Sequence, residues 1–280
     1  MISLRPLLRE QIRQVDIRVG SAEGTYSAER DEIRRAVAFV DELCGRLGLG
    51  ALERNLNPGT GKPQLLLLMR DARGERVVLK VYGRLRHNEA AVQKLWWEEG
   101  VATVRVLDSG DDPVSWLLMP YIAGIVPAPA DGLALTADVA RIMAAAHRIH
   151  RSNVGSPREL YTGVGVHLRN VLAAVTRHHY AVPSHVDVDA AEVMRSSVPT
   201  FLHGDLNAVN LLRGADGLRV LDTCGYTGPA EFDAAVAVGT ALTGGPPHRS
   251  QRAELPHWAP ASGSGSEAHF REGMLHAGGW

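Results

Sequence analysis

The sequence of 280 residues has few of the features that mark membrane, secreted or metal-cluster proteins. Its two cysteines, Cys44 and Cys224, are too few and too far apart for a disulfide framework or a cysteine metal site. The longest unbroken aliphatic run, 65–69, is far shorter than the roughly 20 apolar residues that cross a bilayer. The first twenty residues carry several charges and no apolar core, which predicts no signal peptide. We therefore expect a cytoplasmic protein with no membrane partner.

The chain also has no large excess of charge of one sign, because it contains 30 basic and 31 acidic residues and its formal net charge is −1. This balance argues against a protein that binds nucleic acid by broad neutralisation of phosphates. Lysine is especially scarce, since only Lys62, Lys80 and Lys94 occur among the 30 basic residues. The simplest explanation is a coding bias toward arginine. In such a chain each remaining lysine is a candidate functional residue, because a compact ammonium and a guanidinium differ in their chemistry.

Hydrophobic residues make up 45% of the sequence, which is enough to bury a core. In the first part of the chain, periodicity predicts helices over 28–47 and 86–99, and strands over 64–70, 75–82, 103–108 and 115–120. In the second part it predicts helices over 136–151, 157–180, 187–197 and 230–243, a strand-and-loop segment over 200–212 and a short strand over 218–222. The pattern indicates an α+β fold with a small antiparallel sheet followed by a mostly helical region.

The last 37 residues, 244–280, differ in composition from the rest of the chain. They contain seven Gly, four Pro, four His and four Ser, and neither Val nor Ile. A segment with so little aliphatic content cannot bury much surface. We expect this tail to be poorly ordered, and we interpret it as either a truncated remnant or an out-of-frame reading of a GC-rich gene.

The densest group of chemically useful residues lies between Phe201 and Asp222. Asp205 follows a short apolar run, Asn210 comes five residues later, and Asp222 comes twelve residues after that, at the end of a strand. Phosphoryl transfer from ATP needs a carboxylate that orients the attacking hydroxyl, and hard oxygen ligands for Mg²⁺. Asp205 suits the first role, and Asn210 and Asp222 suit the second. Each residue alone is equally well explained as a turn former or strand cap, so the interpretation depends on the order and spacing of all three.

A second group of residues suits the binding of a nucleotide. Lys80 lies within an apolar strand, where its ammonium packs poorly unless it has a partner. In the protein-kinase pattern such a lysine contacts the ATP phosphates and pairs with a glutamate of the next helix. That helix offers Glu89, while Glu98 and Glu99 near its end are competitors that we expect to be solvated. Gly59 and Gly61, between the first two strands, lie where kinase-like folds cover the nucleotide. An outward-facing lysine, a surface glutamate and a plain hairpin loop are the alternative interpretations.

The segment 203–210, His-Gly-Asp-Leu-Asn-Ala-Val-Asn, resembles the His-Gly-Asp-x-x-x-x-Asn motif of the aminoglycoside phosphotransferase family, relatives of the eukaryotic protein kinases. The stretch 222–233 is similar to the strand aspartate of that family and its following Gly-Asp-Pro-x-x-Asp turn. Pro229 and Ala230 replace the Asp and Pro of the turn, while Asp233 keeps its last acidic position. The spacing looks closest to the streptomycin and hydroxyurea kinase branch.

This resemblance implies a two-lobed, protein-kinase-like fold. Residues 1–121 would form the nucleotide-binding N-lobe, and residues 122–243 the catalytic and substrate-binding C-lobe. ATP would lie between the lobes with Mg²⁺, and its adenine would contact the connector that contains Met119 and Tyr121.

The resemblance also implies supporting roles around the catalytic loop. His203 is expected to support this loop by hydrogen bonding, and Asp233 to lie at the start of a helix, where a carboxylate suits the helix dipole.

The function that we expect is ATP-dependent O-phosphorylation of a small-molecule hydroxyl, because the ten residues between Asp222 and Asp233 are too few for a protein-substrate platform. The resemblance implies an antibiotic-inactivating enzyme, acting on an aminoglycoside, hydroxyurea or a related antibiotic. A metabolic kinase of the homoserine, choline or fructosamine type is an alternative, since the C-terminal part has no acidic bias toward a polycation. A catalytically dead, kinase-shaped binding protein is the other alternative.

Overall fold

The computed structural model describes residues 4, 8–20, 27–57, 64–84, 87–127, 132–149 and 200–242. Four features predicted from the sequence lie outside these residues, namely the helices 157–180 and 187–197, the glycines Gly59 and Gly61, and the tail 244–280. Among the described residues, none of the helices has the length and apolar character that crossing a membrane requires.

A five-stranded antiparallel sheet is the centre of the N-terminal lobe. Its strands are β1 (Leu52–Asn55), β2 (Gln64–Arg70), β3 (Arg76–Tyr82), β4 (Asp108–Gly110) and β5 (Trp116–Pro120), in the spatial order β1-β2-β3-β5-β4. The register places Lys80 of β3 opposite Leu66 of β2 and Leu117 of β5. Lys80 therefore lies in the central strand of the sheet, where both neighbouring strands fix its position.

Two helices, α1 (Arg9–Gly20) and α2 (Ser27–Arg46), cover one face of this sheet. The buried stripe of α2 recurs at helical spacing through Ile33, Val37 and Leu43, which pack with alternate residues of β2 and β3. The helix ends in a reverse turn, in which Leu49 N–H donates to Cys44 O at 2.9 Å. The predicted helix over 28–47 is confirmed.

Alternation along β3 divides its side chains between two faces. Val77, Leu79 and Val81 belong to the core beneath α1 and α2. Lys80 and Tyr82 lie on the opposite face, toward helix α3 (His87–Glu98). This arrangement brings a lysine and a tyrosine to the side of the sheet that the two N-terminal helices leave open.

The second lobe contains α4 (Gly132–His147), α5 (Glu231–Leu242) and two small antiparallel sheets. The sheets consist of β6 (Gly124–Ile125), β8 (Leu211–Gly214) and β9 (Gly217–Val220), and of β7 (Thr200–Leu202) and β10 (Tyr226–Gly228). Helices α3 and α4 share an apolar core with β7 through Trp96, Met143 and Phe201. The described residues thus form the predicted α+β fold.

The predicted strand over 103–108 is wrong. Within it, Thr103 makes only an isolated parallel bridge with Val220, and its hydroxyl donates to Val220 O at 3.0 Å. The strand β4 begins at Asp108 instead. The segment is buried by other contacts, since Thr103 bridges to Val220 and Val106 packs with Tyr82 and Leu117, and a local pattern does not distinguish such burial from a strand.

Candidate active site

A buried ion pair joins β3 to α3. Lys80 Nζ lies 2.7 Å from Glu89 Oε1, and both side chains are 4% exposed. Glu89 is in the first turn of α3, where the helix dipole favours a carboxylate. The other carboxylate oxygen, Oε2, accepts a hydrogen bond from the hydroxyl of Tyr82. A buried ammonium and a buried carboxylate each need such partners, because water does not solvate them.

Asp222 is the second carboxylate that contacts Lys80. It follows β9 by two residues and has a φ of 62°, a left-handed conformation that aspartate tolerates better than most residues. Its side chain is 31% exposed, so part of it is accessible to solvent. The structure therefore brings together Lys80, Glu89 and Asp222, which are far apart in the sequence.

The loop after β7 presents Asp205, which is exposed. Asn207 Nδ2 donates to Asp205 Oδ1 at 2.8 Å, and Asn210 Nδ2 donates to Asp205 Oδ2 at 3.1 Å. Asn210 also donates to the backbone carbonyl of Asp205 at 2.7 Å. Both oxygens of the Asp205 carboxylate are thus oriented by amide donors, which fixes the plane of the carboxylate.

The loop adopts this conformation because Asn207 caps a short 3-10 helix, Ala208–Asn210. The side-chain oxygen of Asn207 accepts from the Val209 amide at 3.1 Å. A backbone bond from Leu221 N–H to Asn210 O, at 2.8 Å, then ties this loop to the residue before Asp222. The two groups of candidate residues are therefore held in one framework.

His203 is completely buried at the base of the loop. Its Nε2 lies 2.6 Å from Leu221 O, and its Nδ1 accepts from the Asp205 amide at 3.3 Å. These partners require a proton on Nε2 and a lone pair on Nδ1, which is the neutral imidazole. Burial lowers the pKa of His203, which favours the same neutral form, and the charge of Asp233 opposes this shift.

Asp233 is fully buried in the first turn of α5, at the start of a helix as predicted. Its Oδ2 accepts from the His203 amide and its Oδ1 from the Gly204 amide, both at 2.8 Å. His147 at the end of α4 places its Nε2 2.9 Å from Asp233 Oδ2. One carboxylate therefore joins α4, α5 and the loop that carries Asp205.

The connector between the lobes contains Met119 and Tyr121, which are partly buried. They pack against an apolar cluster of Leu56, Leu68 and Val78 on the face of the sheet that carries Lys80. The cluster itself is buried, and the partly buried Met119 and Tyr121 at its edge provide apolar surface of the kind on which a planar aromatic base can lie.

The donor chemistry of Asn210 and Asp222 fits a magnesium ion. The amide nitrogen of Asn210 is directed to Asp205, which leaves the amide oxygen as the acceptor that a cation can use. Among the residues that the structure describes, no three His, Cys, Asp or Glu side chains form a cluster that could hold a metal ion. A few oxygen ligands suit Mg²⁺, which is commonly bound by one or two carboxylates together with substrate phosphates.

Sequence reasoning missed three of the residues in this framework. Tyr82 could have been found from its spacing, because two residues after Lys80 it lies on the same face of β3. Asn207 occupies an unspecified position of the motif, and only its bond to Asp205 distinguishes it. His147 lies in the helix predicted over 136–151, but its partner Asp233 is 86 residues away, so no local pattern identifies their contact.

The fold and the site together define a phosphotransferase of the kinase-like type. The sequence model of the phosphotransferase enzyme family matches residues 65–266, which is more than half of the chain. The chain belongs to this family, whose members transfer a phosphoryl group to a hydroxyl acceptor. The resemblance seen in the segment 203–210 is confirmed, while the streptomycin and hydroxyurea branch stays a prediction.

Among solved structures, the chain is similar to macrolide 2'-phosphotransferase MphH from Brachybacterium faecium, at 17% identity over 73% of this chain and 82% of that chain, with a TM-score of 0.49. A choline/ethanolamine kinase family protein from Mesorhizobium loti matches at 18% identity over 73% and 71% of the two chains, with a TM-score of 0.48. The aminoglycoside phosphotransferase APH(3'')-Id from Streptomyces rimosus, in complex with ADP and streptomycin, matches at 16% identity over 77% of this chain and 86% of that chain, with a TM-score of 0.43. No curated protein matches the chain. At these identities the similarities concern the fold alone.

Proposed function

We propose that the protein is an ATP-dependent O-phosphotransferase that acts on the hydroxyl group of a small molecule. The observation that carries this proposal is the contact of Lys80 with both Glu89 and Asp222. This contact supports the proposal, because a lysine that could bind phosphates lies next to a carboxylate that could bind a metal ion. The backbone bond between Leu221 and Asn210 connects this pair to the loop of Asp205.

Asp205 is the proposed catalytic base. Its exposed carboxylate can accept a hydrogen bond from an acceptor hydroxyl, orient that hydroxyl toward the terminal phosphate and take its proton as the phosphoryl group leaves ATP. The amides of Asn207 and Asn210 hold the carboxylate in one orientation. Most of the rate enhancement would come from positioning and from stabilisation of charge.

The nucleotide would be held by residues from both lobes. Lys80 would contact the phosphates, and the adenine would lie against the connector of Met119 and Tyr121. Asn210 and Asp222 would hold Mg²⁺, which supplies charge neutralisation to the phosphates when bound. Gly59 and Gly61, outside the described residues, keep their proposed role in covering the phosphates.

The proposed acceptor class is an antibiotic, an aminoglycoside or hydroxyurea in the first instance. This proposal is supported by the segment 203–210 and by the short interval from Asp222 to Asp233, which leaves no room for a protein-substrate platform. A metabolic alcohol is the second candidate, because residues 122–280 contain 14 acidic and 12 basic side chains, an acidic excess too small to attract a polycation strongly.

An ATP-consumption screen tests the proposed function. Aminoglycosides, tuberactinomycin-type peptides, hydroxyurea and metabolic alcohols would each be offered with ATP and Mg²⁺. We expect turnover with one acceptor class, and its loss by a factor of roughly 10² to 10⁴ in Asp205→Ala. The matched control is Asp216→Ala, which removes a carboxylate that is 84% exposed in the β8–β9 turn.

Two results would contradict the proposal. Turnover that survives Asp205→Ala would remove the catalytic assignment of this residue. Nucleotide binding without turnover on any acceptor would favour a kinase-shaped binding protein instead.

A further inference from the structure

Tyr82 is a buried phenol that the chemistry proposed above does not use. It is the last residue of β3 and is 2% exposed, and its hydroxyl donates a hydrogen bond to Glu89 Oε2. The other oxygen of this carboxylate, Oε1, accepts from Lys80 Nζ. We propose that Tyr82 is a positioning residue that holds Glu89, and through it the ammonium of Lys80, in the orientation that binds nucleotide phosphates. This inference rests on the proposed use of ATP.

The backbone places Tyr82 where it can act on this pair. Lys80 and Tyr82 are two residues apart on β3, so both side chains lie on the face toward α3. The Tyr82 amide donates to Ser115 O at 2.9 Å, which fixes the end of the strand. Lys80 Nζ also lies 4.9 Å from the centre of the Tyr82 ring, a distance at which the face of the ring attracts a cation.

The buried position of Glu89 makes the Tyr82 hydroxyl important. A buried carboxylate needs hydrogen-bond donors for both oxygens, and here Lys80 and Tyr82 each supply one. The terminal torsion of a glutamate is soft, so a single donor does not fix the plane of the carboxylate. Without the hydroxyl, Oε2 would lose its partner and the carboxylate could rotate Oε1 away from Lys80. The position of the Lys80 ammonium would then depend chiefly on its contact with Asp222.

Tyr82→Phe isolates this effect, because it keeps the ring and removes only the hydroxyl. The matched control is Ser115→Ala, which removes another buried hydroxyl of the same lobe that donates to a carboxylate, Asp111 Oδ1, at 2.5 Å. Dissociation constants would be measured by calorimetry for ADP with Mg²⁺ and for adenosine, on the full chain.

We expect Tyr82→Phe to weaken ADP binding about five- to tenfold, the size that corresponds to one hydrogen bond of ordinary net strength. Adenosine binding should not change, since adenosine has no phosphate for Lys80 to contact. Ser115→Ala should leave both constants unchanged. In a Glu89→Ala background, which leaves the Tyr82 hydroxyl no side chain at position 89 to hold, the effect of Tyr82→Phe on ADP should disappear.

Unchanged ADP binding in Tyr82→Phe would overturn the positioning role and leave the proposed function intact. An equal loss of ADP and adenosine binding would also overturn it, because it would indicate a general change of the site. Failure of the unmodified protein to bind ADP or ATP would instead overturn the proposed function itself, and the positioning role with it.

Discussion

The carboxylate of Asp233 makes a quantitative prediction possible, because both of its oxygens have hydrogen-bond partners among the described residues. It accepts from the His203 and Gly204 amides and contacts His147. Asp233→Asn keeps the volume of the side chain but replaces one acceptor oxygen with a donor, so one buried amide N–H loses its partner. A hydrogen bond to a charged group contributes about 1.5–3 kcal/mol, and a buried unsatisfied donor costs about 1–3 kcal/mol. We expect a loss of about 2–4 kcal/mol in the free energy of unfolding.

The assay is urea unfolding followed by tryptophan fluorescence, with the midpoint and slope compared between variants. Glu231→Gln is the matched control, because Glu231 is an exposed carboxylate in the same first turn of α5. It should change the free energy by less than about 1 kcal/mol, the usual size of a helix-dipole effect. A value for Asp233→Asn within about 0.5 kcal/mol of the unmodified protein would refute the reasoning.

Three further predictions concern single groups. Because burial lowers the pKa of His203, the unfolded chain binds an extra proton below about pH 6.5. The free energy of unfolding should therefore fall as the pH decreases from 7 to 5, by at most about 1.4 kcal/mol per pH unit. Urea titrations should show a smaller dependence on pH for His203→Gln. Burial raises the pKa of Cys44 to about 12, so a thiol reagent at about pH 8 should label Cys224 in the folded protein and Cys44 only after unfolding, as peptide mapping would show. Gly204→Ala should cost at least about 1–2 kcal/mol in urea unfolding, because its φ is 81° and the new Cβ would lie 2.6 Å from the Tyr226 ring.

Elements with a strong local period were predicted well. The hairpin of β2 and β3, the helices α2 and α3 and the strand β5 each agree with the sequence pattern to within a residue or two. The segment 103–108 was predicted wrongly, because the contact of its Thr103 is with the distant Val220. The bounds of α4 were predicted less well, since the helix begins at Gly132, four residues before the predicted start.

The sequence likewise predicts the residues of the candidate site but not their arrangement. The motif spacing identifies Asp205, Asn210 and Asp222, and the scarcity of lysine draws attention to Lys80. What the sequence does not contain is the geometry that makes these residues one site. The contact of Lys80 with Asp222 joins residues that are 142 positions apart, and it depends on how the two lobes pack.

The proposed role of Asp205 in phosphoryl transfer is tested most directly by the kcat of Asp205→Asn, measured with the acceptor that the screen identifies. Asparagine keeps the size of the side chain and one of its two hydrogen-bonding oxygens but cannot take a proton. We expect kcat to fall by a factor of roughly 10² to 10⁴, while the dissociation constant for ADP with Mg²⁺ stays within about twofold. A kcat within about tenfold of the unmodified enzyme would contradict the assignment of Asp205 as the catalytic base.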